Sequence, residues 1–170
     1  MKPEKMLRGK TILIVDDERD VLDTLIDLLD MSKLDTAGSF EEAKKLLEDK
    51  ENKYDLVILD IMGVDGYALL EIANNRKIPA IMLTAHALNE ENLVKSIKSG
   101  SASFIPKEKM SDIALHAADV LQAIESGKSP WERWMDRLSG YFDRRFKGTD
   151  WREQRAAFYK ELIEKRGGGE

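Results

Sequence analysis

The chain has 170 residues, of which 42% are hydrophobic and 35% charged, and its net charge is −5. This composition allows a packed core, and the absence of cysteine excludes disulfides, thiolate metal sites and thiol nucleophiles. No apolar run approaches the roughly 20 residues that span a bilayer, and no secretory leader pattern is present. We therefore expect a cytoplasmic protein with no membrane partner.

Short apolar runs alternate with amphipathic stretches from residue 11 to residue 127. The apolar runs predict strands over residues 11–15, 34–38, 56–60, 79–84 and 102–105. Apolar residues at helical spacing predict helices over about 21–29, 39–47, 66–75, 89–100 and 111–127. Ser39 with Glu42 forms the capping box of the second helix, and Asn89 is expected to cap the fourth.

This alternation predicts an α/β fold in which a parallel sheet lies between two layers of helices. Right-handed crossovers leave few arrangements, and we choose the flavodoxin-like, doubly wound strand order 2-1-3-4-5. Residues 1–10 are polar and are expected to be a loose lead-in. The buried face of the helix over 111–127 is expected to comprise Ile113, Ala117, Val120, Leu121 and Ile124.

Polar side chains follow several of these strands, where the carboxyl ends of parallel strands meet at one edge of the sheet. The residues expected to converge there are Asp16, Asp17, Asp60, Thr84 and Lys107. Three crowded carboxylates require a cation, and a set of ligands containing only oxygen favours Mg²⁺. A lysine and a hydroxyl supply positive charge and a hydrogen-bond donor for phosphoryl oxygens, so the chemistry indicated is phosphoryl transfer to or from Asp60.

Sequence motifs at the same positions resemble those of a known family. They are Ile-Val-Asp-Asp-Glu at 14–18, Leu-Asp-Ile-Met at 59–62, Asp65-Gly66, Leu-Thr-Ala at 83–85, and Phe104 with Lys107. Residues 10–126 thereby resemble the CheY-like receiver domain of two-component response regulators. The resemblance implies that Asp60 accepts a phosphoryl group from a sensor histidine kinase or a phosphotransfer protein.

The same resemblance implies the roles of the other site residues. Asp16, Asp17, Asp60 and the carbonyl of Met62 would hold Mg²⁺. Thr84 and Lys107 would bind the phosphoryl oxygens, and Phe104 would turn inward when Thr84 moves. The face formed by about 89–126 would carry the output to other proteins.

Three features depart from the family pattern. The loop from Asp60 to Gly66 is two residues shorter and lacks proline, which puts the Met62 contact in question. The proline precedes Lys107 as Pro106 instead of following the lysine, which suits an edge strand. His86 lies two residues after Thr84, where it either affects the lifetime of the phosphoryl group or is an inert loop residue.

Two other functions use similar residues. A haloacid-dehalogenase-type aspartyl phosphatase also combines Mg²⁺ with Asp, Thr and Lys, but there the nucleophile follows the first strand and a second Asp lies two residues beyond it. Here the acidic pair comes first, and Met62 occupies that position. The second alternative is a receiver-like docking module that is not phosphorylated.

Gly127 and Pro130 mark a boundary between a receiver domain, 1–128, and an extension, 129–170, whose net charges are −7 and +2. Ser129 and Glu132 predict a helix start, with an apolar stripe of Trp131, Trp134, Met135, Leu138, Phe142 and Phe146. A second amphipathic helix after Gly148, over about 150–163, would complete a helical hairpin. Its apolar face either packs on the receiver domain or forms a homodimer or target contact through 129–166.

A DNA-binding role for this extension is disfavoured. Its arginines are interleaved with acids, and +2 over 42 residues is far from a basic footprint. Two helices are also too few for a free-standing helix-turn-helix domain.

Overall fold

The computed structural model describes residues 2–85 and 90–145 of the chain. Within these ranges the strands are β1 (Thr11–Val15), β2 (Lys33–Ala37), β3 (Leu56–Asp60), β4 (Ala80–Thr84) and β5 (Ser103–Pro106). They form a parallel sheet in the order β2-β1-β3-β4-β5. The predicted α/β fold and strand order are confirmed.

One helix precedes the first strand, and the others connect the strands or follow the last of them. They are α1 (Pro3–Leu7), α2 (Arg19–Leu28), α3 (Phe40–Glu48), α4 (Gly66–Asn75), α5 (Glu90–Lys98), α6 (Ile113–Glu125) and α7 (Trp131–Arg145), with a 3-10 helix over Lys107–Asp112. Every residue of β3 and β4 is buried, because helices cover both faces of a doubly wound sheet. The predicted cap of α3 is present, with the Ser39 side chain accepting a hydrogen bond from the Glu42 amide.

The expectation of a loose lead-in was wrong. Residues Pro3–Leu7 form helix α1, Leu7 is fully buried, and its carbonyl accepts a hydrogen bond of 2.8 Å from the Ser32 hydroxyl. Helix α1 packs against α6. A five-residue helix is too short to show helical periodicity in sequence, so a single apolar anchor was not recognised.

The predicted inner face of α6 was wrong at Ile124, whose exposure is 47%, whereas the other four residues are buried. Helix α6 buries a second stripe instead, formed by His116, Asp119 and Ala123. These residues follow helical spacing, but two of them are polar, so a search for apolar periodicity misses them.

Helix α7 is the first helix of the predicted C-terminal hairpin. Trp131, Trp134, Leu138 and Phe142 are buried in the same core as the sheet, and Met135 is partly buried against it. In the described part of the chain, the apolar stripe therefore packs on its own receiver fold. The second predicted helix, Phe146, His86 and Asn89 lie outside the described residues.

None of the helices in the described part of the chain combines the length and the apolar character that crossing a bilayer demands.

Candidate functional site

The ends of four strands bring the predicted site residues to one edge of the sheet. Asp16 and Asp17 directly follow β1, Asp60 ends β3, Thr84 ends β4, and Lys107 directly follows β5. The strand register places Asp60 beside Leu83 and Thr84 beside Pro106. Because the strands are parallel, sequence positions from 16 to 107 reach the same crevice.

Lys107 joins two of the carboxylates. Its ammonium nitrogen lies 2.8 Å from Asp16 Oδ2 and 3.4 Å from Asp60 Oδ1. All three side chains are largely buried, with exposures of 12% for Lys107, 0% for Asp16 and 6% for Asp60. Burial opposes the charge of Lys107, but the contact with Asp16 prevails and raises the pKa of the ammonium group. The site therefore holds a fixed positive charge beside the Asp60 carboxyl group.

The Asp60 carboxyl group is held in an unfavourable environment for its own charge. Burial and the nearby carboxylate of Asp16 raise its pKa from 3.8 to about 7, although Lys107 acts in the opposite direction. Asp17 contributes a further, smaller increase. A cation at this edge would favour the ionised form of Asp60, which is the form that can act as a nucleophile.

The acidic run after β1 has the geometry of a cation site. Carboxylate oxygens of Asp16, Asp17 and Glu18 lie within 4.8 Å of one another. The Glu18 amide donates a hydrogen bond of 2.8 Å to Asp16 Oδ1 and so orients the Asp16 carboxylate. The donors are all oxygen atoms, which fits Mg²⁺.

The short loop after Asp60 lies against this acidic run. Gly63 has φ +78°, and a Cβ atom there would lie 2.6 Å from Asp17 Oδ2. Gly66 approaches the Asp60 carbonyl so closely that a Cβ atom would overlap it. The two glycines are therefore what allows so short a loop to pass beside the carboxylates.

Met62 could contribute only its backbone carbonyl to a cation site, since its thioether side chain is largely exposed. The residue is 61% exposed, and its carbonyl accepts a hydrogen bond of 2.8 Å from the Val64 amide within the loop. A carbonyl has a second lone pair, so this contact leaves one acceptor direction for a cation.

Thr84 and Phe104 lie on the neighbouring strands β4 and β5. Both residues are buried, and Phe104 pairs with Met82 across the two strands. Phe104 is three residues before Lys107 on the same segment, and its ring lies 6.1 Å from that of Phe142 in α7. The aromatic residue is therefore covered by the C-terminal helix.

Sequence reasoning missed three residues of this region. Glu18 belongs to the carboxylate group and could have been recognised because it continues the acidic run at 16–18. Gly63 lies within the shortened loop, and the loop sequence alone does not show that it adjoins Asp17. Trp134 donates a hydrogen bond to the Phe104 carbonyl across 30 residues of sequence, and no local pattern predicts such a pairing.

Comparison with known proteins finds similarity to response regulators and their receiver domains. The family model described as "Response regulator receiver domain" matches residues 12–118. The two-component response regulator ARR10 of Arabidopsis thaliana is 34% identical over 104 residues, which cover 58% of this chain and 19% of the relative. The phosphate regulon transcriptional regulatory protein PhoB of Pseudomonas aeruginosa is 34% identical over 108 residues, covering 58% of this chain and 45% of the relative. The match thus spans less than half the length of each relative.

A solved structure shows the same relationship. The CheY-like response regulator receiver domain protein from Methanospirillum hungatei is 27% identical, with a TM-score of 0.57. The alignment covers 67% of this chain and 97% of that protein. The similarity thus includes nearly all of the solved receiver domain and leaves about a third of this chain without a counterpart.

Proposed function

Because the chain belongs to the response regulator receiver family, we propose that it is a phosphoacceptor of a two-component phosphorelay and that Asp60 accepts the phosphoryl group. The donor is a sensor histidine kinase or a phosphotransfer protein. A carboxylate oxygen of Asp60 attacks phosphorus, the phosphorus–nitrogen bond of the donor phosphohistidine breaks, and an aspartyl phosphate forms. The observation that carries this proposal is the contact of Lys107 with both Asp60 and Asp16 at the sheet edge.

The neighbouring side chains support each part of this reaction. Asp16 and Asp17 would hold Mg²⁺, with Asp60 and the Met62 carbonyl as further ligands and Glu18 beside them. When bound, Mg²⁺ supplies positive charge to the phosphoryl oxygens and to the ionised carboxylate. The Lys107 ammonium and the Thr84 hydroxyl bind the equatorial phosphoryl oxygens, which carry charge in the transition state.

The response regulator relatives are signalling proteins, and we propose that the chemistry of this chain is limited to its own phosphorylation and dephosphorylation. The division into a receiver unit, 1–128, and an extension, 129–170, stays a prediction, supported by the end of the family match at residue 118. The cytoplasmic location and a homodimer or target contact through 129–166 also stay predictions. We expected from the sequence that DNA is not a partner. The relatives do not support that expectation, because PhoB is named a transcriptional regulatory protein.

Phosphorylation by a small donor tests the proposal. The full chain is incubated with acetyl phosphate and Mg²⁺ and its intact mass is measured. We expect the mass of one phosphoryl group to be added, and Asp60→Asn to abolish the addition. Asp65→Asn is the matched control, because Asp65 lies in the same loop and its φ of 53° is one that asparagine adopts readily.

Two results would overturn the proposal. An unchanged mass of the wild-type chain, with Mg²⁺ and donor both present, would indicate a docking module that is not phosphorylated. Multiple turnover of a phosphate ester such as p-nitrophenyl phosphate would indicate a phosphatase.

A further inference from the structure

Lys107 extends from a segment that the sheet supports on one side only. Strand β5 ends the sheet, so β4 is the one strand that pairs with it in the described part of the chain. The 3-10 helix Lys107–Asp112 follows β5 directly, and hydrogen bonds in such a helix have poorer geometry than those of an α-helix. The position of the Lys107 ammonium group therefore depends on what holds this segment from the other side.

Helix α7 contacts this segment before and after Lys107. Three residues before the lysine, the Phe104 carbonyl accepts a hydrogen bond of 2.8 Å from the Trp134 indole N–H. One residue after the lysine, the Glu108 carboxylate accepts a hydrogen bond from the Tyr141 hydroxyl. Two side chains of α7 thus fix the backbone and the side chain on either side of the site lysine.

Both of these α7 side chains are held firmly in place. Trp134 is 3% exposed and Tyr141 is 8% exposed. The Trp134 ring stacks on the Phe142 ring at 5.2 Å, and the Tyr141 ring meets Phe142 edge-on at 5.2 Å. A buried and packed aromatic ring has little rotamer freedom, so its N–H or O–H group is a donor at a fixed position.

Helix α7 is also anchored to α6, away from the site segment. The Arg137 guanidinium forms a forked pair with the Asp119 carboxylate, in which Nη2 lies 3.2 Å from Oδ1. Arg133 lies 3.6 Å from the same carboxylate. Asp119 is largely buried, and forked charged pairs are directional. The hydrogen bonds to the site segment therefore come from a helix whose position is fixed independently.

We propose that Trp134 and Tyr141 are positioning residues for the phosphorylation of Asp60. They hold the segment from which Lys107 extends, and thereby place its ammonium group between Asp16 and Asp60. Both residues lie beyond residue 118, where the family match ends, so the C-terminal extension supplies part of the support for the site. The inference rests on the proposed function, because Lys107 contacts phosphoryl oxygens only if Asp60 is the acceptor.

A matched pair of tyrosine substitutions tests this role. Tyr141→Phe removes the hydrogen bond to Glu108, whereas Tyr54→Phe removes an equivalent bond of 2.6 Å from a tyrosine hydroxyl to the Asp35 carboxylate. Tyr54 is 6% exposed and precedes β3, at the edge of the sheet opposite the site. The initial rate of phosphorylation by acetyl phosphate with Mg²⁺, followed by intact mass, should fall about tenfold in Tyr141→Phe and stay within about twofold of wild type in Tyr54→Phe.

A second pair tests the contact with β5. Trp134→Phe removes the indole N–H that binds the Phe104 carbonyl, whereas Trp131→Phe removes an indole N–H that has no acceptor among the described residues. Both exchanges remove the same atoms from the same helix. The phosphorylation rate should be about fivefold lower in Trp134→Phe than in Trp131→Phe, which corresponds to one hydrogen bond.

Chemical labelling shows whether these effects act through Lys107. The full-length variants are treated with a limiting amount of acetic anhydride, without Mg²⁺ or phosphodonor, and the labelled fraction of each lysine is measured by peptide mass spectrometry. Lys107 should be labelled about fivefold faster in Tyr141→Phe than in Tyr54→Phe, while Lys44, which is exposed on α3, should be labelled equally in both. A general loss of stability would not release Lys107 in one tyrosine variant alone.

The outcomes separate this inference from the proposed function. Equal phosphorylation rates within a matched pair would overturn the positioning role of the α7 residue that the pair tests. A lower rate with unchanged labelling of Lys107 would also overturn that role, and both results leave Asp60 as the phosphoacceptor. Absence of phosphorylation in wild type would overturn the proposed function and the positioning role together.

Discussion

Removing the charge of Asp60 should stabilise the Mg²⁺-free protein at neutral pH. The native pKa of about 7 lies above the ordinary value of 3.8, because burial and Asp16 disfavour the ionised form. Between pH 4 and pH 7 the native chain therefore keeps a proton that the unfolded chain has released. The stabilisation from this proton is complete below pH 4 and is lost as the pH rises through 7.

The size of this effect follows from the two pKa values. At 1.36 kcal/mol per pH unit, the rise from 3.8 to about 7 corresponds to at most about 4 kcal/mol. The free energy of unfolding of Asp60→Asn should thus exceed that of wild type by up to this amount above pH 7, and the two should converge near pH 4. Chemical denaturation in the presence of a chelator, at several pH values across this range, measures the difference.

A control and the addition of Mg²⁺ complete the test. Asp30→Asn removes a carboxylate from an exposed position and should follow the wild-type pH profile. Mg²⁺ should stabilise wild type above pH 7 more than Asp60→Asn, because it binds the native carboxylates. Parallel stability profiles of wild type and Asp60→Asn would refute the crowding of carboxylates at this edge.

Other predictions concern the loop, the C-terminal helix and the amino terminus. Gly63→Ala should weaken Mg²⁺ binding about tenfold or more in calorimetric titration, because the new Cβ displaces Asp17. Gly9→Ala is the control: Gly9 has the same φ of +78°, but its new Cβ meets open space, so Mg²⁺ binding should be unchanged. Asp119→Asn breaks the charged pairs with helix α7 and should lower the free energy of unfolding by about 1–3 kcal/mol. Hydrogen exchange should show a greater loss of amide protection in 131–145 than in the sheet, and unchanged protection would contradict this docking. Leu7→Ala should lower the free energy of unfolding by about 2–5 kcal/mol in denaturant titrations, because Leu7 is fully buried in the core. A loss below about 0.5 kcal/mol, which is typical of a surface substitution, would contradict the assignment of α1 to the core.

The sheet could be predicted because its signal is local. Uninterrupted apolar runs such as 56–59 mark strands that are buried on both faces, and the polar residue that ends each run marks the functional edge. Connection rules left few strand orders, and the flavodoxin-like order that we chose among them is the observed one. The family match confirms the resemblance to receiver domains. The close approach of Lys107 to two carboxylates was the expected result of joining these strand ends.

The remaining features depend on contacts that are distant in sequence. The stripe in α7 indicated a buried face, but only the fold shows that Trp134 meets Phe104 and that Arg137 meets Asp119. Ile124 was misassigned because α7 covers a partly polar stripe of α6 and leaves the apolar residue in solvent. Local periodicity describes one helix at a time and carries no information about its partner.

A crystal structure of the full chain with Mg²⁺ and beryllofluoride tests the central claim most directly. We predict beryllium bound to an Asp60 carboxylate oxygen, Mg²⁺ coordinated by Asp17 and Asp60 at about 2.1 Å, and the Lys107 ammonium group on a fluorine atom. Mg²⁺ held by Asp16, Asp17 and Glu18 with the Asp60 carboxylate outside its coordination sphere would contradict the account. So would a Lys107 that stays paired with Asp16 while beryllofluoride occupies Asp60.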